Sequence, residues 1–510
     1  MSKNEAVTIK TTWEFEKVSR NKENENHLLI NIIGGEANED ESRKPVALQG
    51  VIDCSGSMNG SKIEYVRKTL MVLVDHLTEN DYLGLTAYSD SVWEICPSTK
   101  CDKSGKQKIK ESIKKEVKAI SSTNLSGGFI EGFEVLKSKD FGDQCLQRIL
   151  LLTDGMANSG ITGHENIVNL VKRTLEKNSN ISLSTFGYGS GDENRCDFDP
   201  EILSSMAKTG KGNYHHISSP DKVPGALGTE IGGLLSCVAQ NIKVSLHLND
   251  DIKVLDVLND FDVKTKDNVT TITIDDIYAE EEKAIVVNLK IPSFGKSIDR
   301  SVKMLDVEVS YLDVVMTETK NIKEPIKLSF VKSGEESKTA NKLVEKEIVL
   351  LAAATAQEKA NDLADKGDHD GAIDAIEKGI EAIKDCSSYL KDKILQDLAD
   401  SLNTLKPRYL RETYGSGVKA FASANSSMLR SRRLSTGGAQ MYNDFVGTRG
   451  MSICAQSFEQ SVDNFEEDED DVQNNNYELK TTSNSSDVLI TPTIGTTTSN
   501  LPFEKKRTRR

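Results

Sequence analysis

Short apolar runs alternate with helical patterns through the first half of the chain. Residues 46–52, 82–88, 149–153 and 181–186 are runs of mainly Val, Ile, Leu, Ala and aromatic side chains, too short for helices. Runs of this kind read as strands buried on both faces, as in a parallel sheet. Between them, residues 63–77 place Val66, Leu70, Leu73, Val74 and Leu77 on one helical face, and 167–175 repeat the pattern on a smaller scale. Strand and helix in alternation predict an α/β unit, a doubly wound, mostly parallel sheet with helices on both sides.

On either side of this unit the period changes to two. Residues 7–15 with 27–33, and then 242–330, alternate polar and apolar positions, as in Val244-Ser245-Leu246-His247-Leu248 and Thr270-Thr271-Ile272-Thr273-Ile274. These are antiparallel strand signals, with Asn249-Asp250-Asp251 and Pro292-Ser293-Phe294-Gly295 as turns. A sandwich needs both of its sheets, so the N-terminal strands are expected to return and pair with the later ones, leaving the α/β unit inserted between them. Beyond Ser337 the period becomes helical. Three apolar stripes, separated by Gly367-Asp368-His369-Asp370 and ended by Pro407, predict a three-helix segment resembling a single tetratricopeptide-type hairpin that serves as a buttress. The expected division is 1–44 (strands joining the sandwich), 45–240 (α/β domain), 241–335 (β-sandwich), 336–413 (three helices), 414–454 (irregular) and 455–510. The last stretch, with its acidic run at 463–471 and its basic end, reads as disordered.

Composition narrows the functional classes. With 510 residues, two or three folded units are expected, and 37% hydrophobic with 28% charged residues fits a soluble protein. A formal charge of -15 disfavours nucleic acid and anionic membrane surfaces. No run of 18 apolar residues occurs, so no membrane insertion is expected, and nothing at the start reads as a secretory signal, which places the chain in the cytoplasm. The 8 cysteines have no CxxC spacing, so reduced thiols are expected instead of a disulfide framework or a zinc ribbon.

The chemistry gathers where the strands end. The 46–52 strand runs into Asp53-Cys54-Ser55-Gly56-Ser57-Met58, and in a parallel sheet the carboxyl ends of the strands line the ligand crevice. Asp-x-Ser-x-Ser alone also describes a turn and helix cap. Two further oxygens change that picture: Thr123, ahead of a helix, and Asp154, at the end of the 149–153 strand, fall on the same edge. Two carboxylates and three hydroxyls are hard donors suited to Mg²⁺ or Mn²⁺, and they leave a position of an octahedral shell open. With so few anionic ligands the cation stays electrophilic, and a protein partner presenting an Asp or Glu carboxylate would complete its shell.

These residues, with Thr123-Asn124-Leu125 and Leu152-Thr153-Asp154-Gly155, resemble the metal-ion-dependent adhesion site of von Willebrand factor A domains. The resemblance covers about 45–240 and implies a Rossmann-like sheet and a non-enzymatic adaptor or scaffold. The flanking strands and helices are similar to intracellular relatives near the inter-alpha-inhibitor branch. Some plant relatives of that arrangement carry a RING and act as ubiquitin ligases; this chain lacks the cysteines. Met58-Asn59-Gly60-Ser61 also lacks the aspartates that hold a second, adjacent metal in integrin β subunits.

Other candidates are weaker. The 187–199 loop opens on the same edge, so Asp192, Arg195, Asp197 and Asp199 are expected to form a rim that selects partners. Its Gly187-x-Gly189-x-Gly191 is not a dinucleotide fingerprint. Ser55 stands where a haloacid-type phosphatase needs its second aspartate, which argues against phosphoryl transfer and leaves no catalytic residue assigned. His215 and His216 on a strand point to opposite faces. Arg432-Arg433-Leu434-Ser435-Thr436 resembles a basophilic kinase site centred on Ser435.

Overall fold

The 46–53 segment becomes the hub of the molecule because every one of its residues is buried. Its side chains alternate between two cores: Val46, Leu48 and Ile52 join one, and Ala47 and Val51 the other. A strand apolar on both faces is stable only between two layers of helix. This computed structural model describes residues 5–36, 44–431 (without 119–121, 143–144, 179, 190–197, 218, 275, 296–299, 315, 317 and 387) and 454–462.

Three strands precede or open the α/β domain: β1 (Val7–Trp13), β2 (Lys17–Ser19) and β3 (Asn24–Gly34). The domain itself contains β4 (Val46–Asp53), α1 (Ser61–His76), β5 (Tyr82–Tyr88), β6 (Val92–Lys100), α2 (Lys103–Glu116), α3 (Leu125–Lys137), β7 (Leu146–Thr153), α4 (His164–Leu175), β8 (Ile181–Tyr188), α5 (Pro200–Thr209), β9 (Lys211–Ile217) and α6 (Val223–Leu235). The sheet is six-stranded, in the order β6-β5-β4-β7-β8-β9, and all neighbours are parallel except the β5/β6 pair. The antiparallel edge strand β6 is absent from the sequence expectation, because Pro97 and a broken register hide its alternation. α1 and α6 share one core with the sheet, and α3, α4 and α5 share the other.

β10 (Cys237–Leu248) leaves α6 after a single residue and starts the sandwich, followed by β11 (Lys253–Val257), β12 (Asp262–Lys266), β13 (Val269–Ile274), β14 (Ile277–Tyr278), β15 (Glu282–Ile291), β16 (Ser301–Asp313) and β17 (Glu318–Val331). One sheet runs β1-β3-β15-β11; the other runs β12-β13-β10-β16-β17-β2, with β14 on β10. Strands from before the α/β domain therefore sit in both sheets, β3 against β15 and β2 against β17.

Helices α7 (Lys342–Asp365), α8 (His369–Asp385), α9 (Lys393–Leu405) and α10 (Ser416–Ser431) follow. Val344 and Leu351 of α7 cover Leu29, Ala284 and Val286 on the outer face of the β1-β3-β15-β11 sheet. Two expectations need correction here. The stretch 414–454 is not irregular throughout, since α10 occupies 416–431, and 455–510 is not wholly without order, since 454–462 is helical. α10 was hidden by its composition: Asn425 and Ser426 are buried, and Asn425 donates to Gln357 Oε1 at 2.7 Å, so part of its inward face is polar.

Candidate metal centre

Four of the five candidate oxygen ligands form one hydrogen-bonded run where β4 and β7 end. The Ser55 N–H donates to Asp53 Oδ1 at 2.8 Å, and the Ser55 and Ser57 hydroxyls lie 3.0 Å apart. Ser57 Oγ–H in turn donates to Asp154 Oδ1 at 2.7 Å. Thr123 faces this run across Gly155, where a Cβ would stand 3.1 Å from Thr123 Oγ1 and 3.7 Å from Ser57 Oγ. The glycine leaves room for the oxygens to converge. Thr123 is held by its backbone: its N–H donates to Asn158 Oδ1 at 3.0 Å, and its carbonyl accepts from Asn158 and Ser159 at 3.2 Å each. Next to it, the Asn124 N–H donates to the Ser89 carbonyl, and the Asn124 side chain caps α3 by accepting from Gly127.

Asp53 and Asp154 are both buried, and burial pushes the Asp53 carboxyl up from 3.8 to about 6, against hydrogen bonds from Thr153 and Ser55 that pull it down. Thr153 Oγ–H donates to Asp53 Oδ2 at 2.6 Å. Beneath lie Tyr88 and Tyr188, both buried, whose phenols are pushed well above 10, first by burial and then by the nearby carboxylates. One positive charge already answers Asp154: Lys62, in the first turn of α1, donates to Oδ2 at 2.5 Å. The buried Asp154 carboxylate thus holds an ammonium on one oxygen and a hydroxyl on the other. Among the described residues, no three His, Cys, Asp or Glu side chains group as an alternative metal cage.

The sequence does not single out Lys62 or Asn158, and Thr153 enters it only within the Leu152-Thr153-Asp154-Gly155 motif. The rim expectation fares differently. Asp192, Arg195 and Asp197 lie outside the described residues, as does Ser435. Asp199 is the N-cap of α5, its Oδ1 accepting from the Glu201 and Ile202 N–H groups at 3.0 and 3.1 Å. Burial pushes the Cys54 thiol up to about 12, far from the thiolate a nucleophile needs. Cys96 and Cys101 are buried free thiols. His215 stacks on Phe186, with ring centroids 4.6 Å apart, and His216 packs towards Phe198, so the two rings serve opposite faces.

A second charged cluster was also missed. Arg148 of β7 is buried completely and donates to Glu230 Oε1 of α6 at 2.5 Å, to Asp276 Oδ2 at 2.9 Å and to Ser182 Oγ at 2.8 Å. Glu230 also accepts from Ser184, Asn213 and His215. Because Asp276 lies between β13 and β14, this network joins the α/β domain to the sandwich.

Comparison with known proteins agrees with this architecture. Residues 50–226 match the von Willebrand factor type A domain. An uncharacterized protein of Escherichia coli, YfbK, is 30% identical over 200 residues, which is 39% of this chain and 33% of that one. The inter-alpha-trypsin inhibitor heavy chain H3 of Rattus norvegicus is 29% identical over 184 residues, 34% of this chain and 19% of the heavy chain. The chain thus spans about a third of the first relative's length and a fifth of the second's. A solved structure, the von Willebrand factor type A protein from Catenulispora acidiphila, shares the fold with a TM-score of 0.64 at 14% identity, covering 84% of this chain and 98% of that one.

Proposed function

We infer from the von Willebrand factor type A domain at residues 50–226 that this chain is a protein-interaction scaffold whose sheet edge captures a partner's carboxylate through a divalent cation. Domains of this family are in general protein-interaction modules, which supports the adaptor role. The observation that carries the metal-dependent part is the hydrogen-bonded run Asp53–Ser55–Ser57–Asp154, with Thr123 facing it across Gly155.

In this reading Ser55, Ser57 and Thr123 supply the hydroxyl oxygens, and Asp53 and Asp154 supply the charge. Mg²⁺ or Mn²⁺ bound there would supply a Lewis-acidic position for an Asp or Glu of the partner. The chain's own residues do the rest. The Thr153 hydroxyl and the Ser55 N–H orient the Asp53 carboxylate, and the Ser57 hydroxyl orients that of Asp154. The sandwich and helices form a rigid base. Burial keeps the Cys54 thiol beside the edge protonated, which supports a binding role.

Capture of partners from the protein's own cell extract by the immobilised chain tests this reading, run in Mg²⁺, in EDTA, and with Asp53→Ala in Mg²⁺. Partners should be retained in the first condition alone. Equal recovery in all three would overturn the metal-dependent reading.

A further inference from the structure

We propose that residues 454–462 are a detachable helix, held in cis in a groove between α1 and α6, and that its release uncovers a docking surface for an amphipathic helix. The segment has the pattern such a ligand needs. Ala455, Phe458 and Val462 are buried, while Gln456 and Gln460 face solvent. The spacing of the buried positions is that of one helical stripe.

The groove is built to receive it. Its floor is α6, where Gly225 and Gly228 replace side chains along the line of contact. A Cβ on Gly228 would stand 2.7 Å from the Ala455 Cα and 2.9 Å from the Cys454 carbonyl oxygen, so the two backbones approach as only glycine permits. At Gly225 the neighbour is the far end of the Glu459 side chain, which can move. The wall is α1. The ring of His76 lies 4.3 Å from that of Phe458, and its Nε2 is 3.0 Å from Ser457 Oγ. Phe458 and Val462 complete the same core as Met58 and Val66.

The segment arrives from elsewhere in the molecule. α10 ends at Ser431 against α7 and the sandwich, where Arg430 is bound to Glu358 and to the Leu258 carbonyl, and residues 432–453 join that site to the groove. Three buried apolar side chains offset only part of the backbone entropy lost in ordering the segment, so it opens far more readily than the sheet of the α/β domain. The vacated groove would select a helix with a small residue over the glycines, an aromatic three positions on and a branched aliphatic four beyond that.

The two glycines give the experiment its control. Both Gly225→Ala and Gly228→Ala improve helix propensity equally, but only the second drives a methyl into the segment's backbone. The readout in the full-length chain is alkylation of Cys454, mapped by peptide mass spectrometry, with amide exchange of β4 and β7 as a fold control. Burial raises the docked Cys454 thiol to about 11 and keeps alkylation slow. Gly228→Ala should speed alkylation at least about tenfold with β4 and β7 still protected, and Gly225→Ala should stay within about twofold of wild type. Phe458→Ala should release the segment from the other side and leave a groove that binds a synthetic 454–462 peptide at about millimolar concentration, the level a tether supplies. Continued protection of Cys454 in Gly228→Ala overturns the proposal. So does loss of its protection only together with β4 and β7, or absence of peptide binding to Phe458→Ala. A wild-type dimer formed by exchanging the segment would overturn the assignment in cis.

Discussion

Asp53 makes the metal-free protein's stability depend on pH in a direction opposite to that of most carboxylates. Burial raises its carboxyl from 3.8 to about 6, so the folded state holds the proton more tightly than the unfolded state. Its contribution to stability is therefore complete below the unfolded value and is lost as pH rises through about 6. At about 1.4 kcal/mol per pKa unit, the ionised carboxylate costs the metal-free fold about 3 kcal/mol above that pH. Asp53→Asn removes the charge and keeps the acceptor for Ser55, but it turns an amide towards the Thr153 hydroxyl, a loss of about 1 kcal/mol. In EDTA at pH 7.5, Asp53→Asn should then be more stable than wild type by about 2 kcal/mol. At pH 4.5 the gap should close to about zero, because ionisation in the unfolded state still costs wild type about 1 kcal/mol there. Saturating Mg²⁺ should reverse the order at pH 7.5, by stabilising wild type alone by about 3 kcal/mol at a hundredfold excess over Kd. Urea unfolding of both proteins, followed by fluorescence of Trp93 on β6 with Trp13 replaced by Phe, gives the comparison. A gap between the two that does not vary from pH 4.5 to 7.5 in EDTA would refute the reasoning.

Two further outcomes follow from the same geometry. Lys62→Met frees Asp154 Oδ2 from its internal cation, and the Kd for Mn²⁺ measured by calorimetry should fall several-fold; a rise would show that Lys62 positions Asp154 and does not compete for it. Arg148→Met leaves Glu230 and Asp276 buried without their partner, so stability to urea should drop by about 3–5 kcal/mol, and a loss under about 1 kcal/mol would mean that the network is already neutral.

The parallel sheet was legible, and the five candidate oxygens could be assigned to its edge, because each rests on a local signal. A strand covered on both faces must be apolar throughout, and ligands at strand ends follow directly from where those runs stop. Lys62, Arg148 and the 454–462 helix were not legible, for one shared reason: their meaning depends on partners distant in the chain. Arg148 interrupts an apolar run, and its burial makes sense only with Glu230 and Asp276, 82 and 128 residues away. The unbroken apolar run accordingly starts only at Ile149, whereas β7 starts at Leu146. Phe458 sits in polar surroundings beside an acidic run, and nothing local reveals a glycine-floored groove waiting for it.

The insertion of the α/β domain into the sandwich has a mechanical consequence. β3 leads towards the domain and β10 leads away from it. Their facing ends meet at Tyr278, which pairs with Cys237 and whose carbonyl would clash with any Cβ on Gly34. A force applied at the Asp53 end of β4 draws on that strand lengthwise between β5 and β7. The tension then passes to β3, between β1 and β15, and to β10, between β13 and β16. Each of these strands is interior to its sheet, so the ladders on both sides share the load in shear instead of opening one bond at a time. The chain is thus strung so that a tug at its binding edge is resisted by three sheets at once.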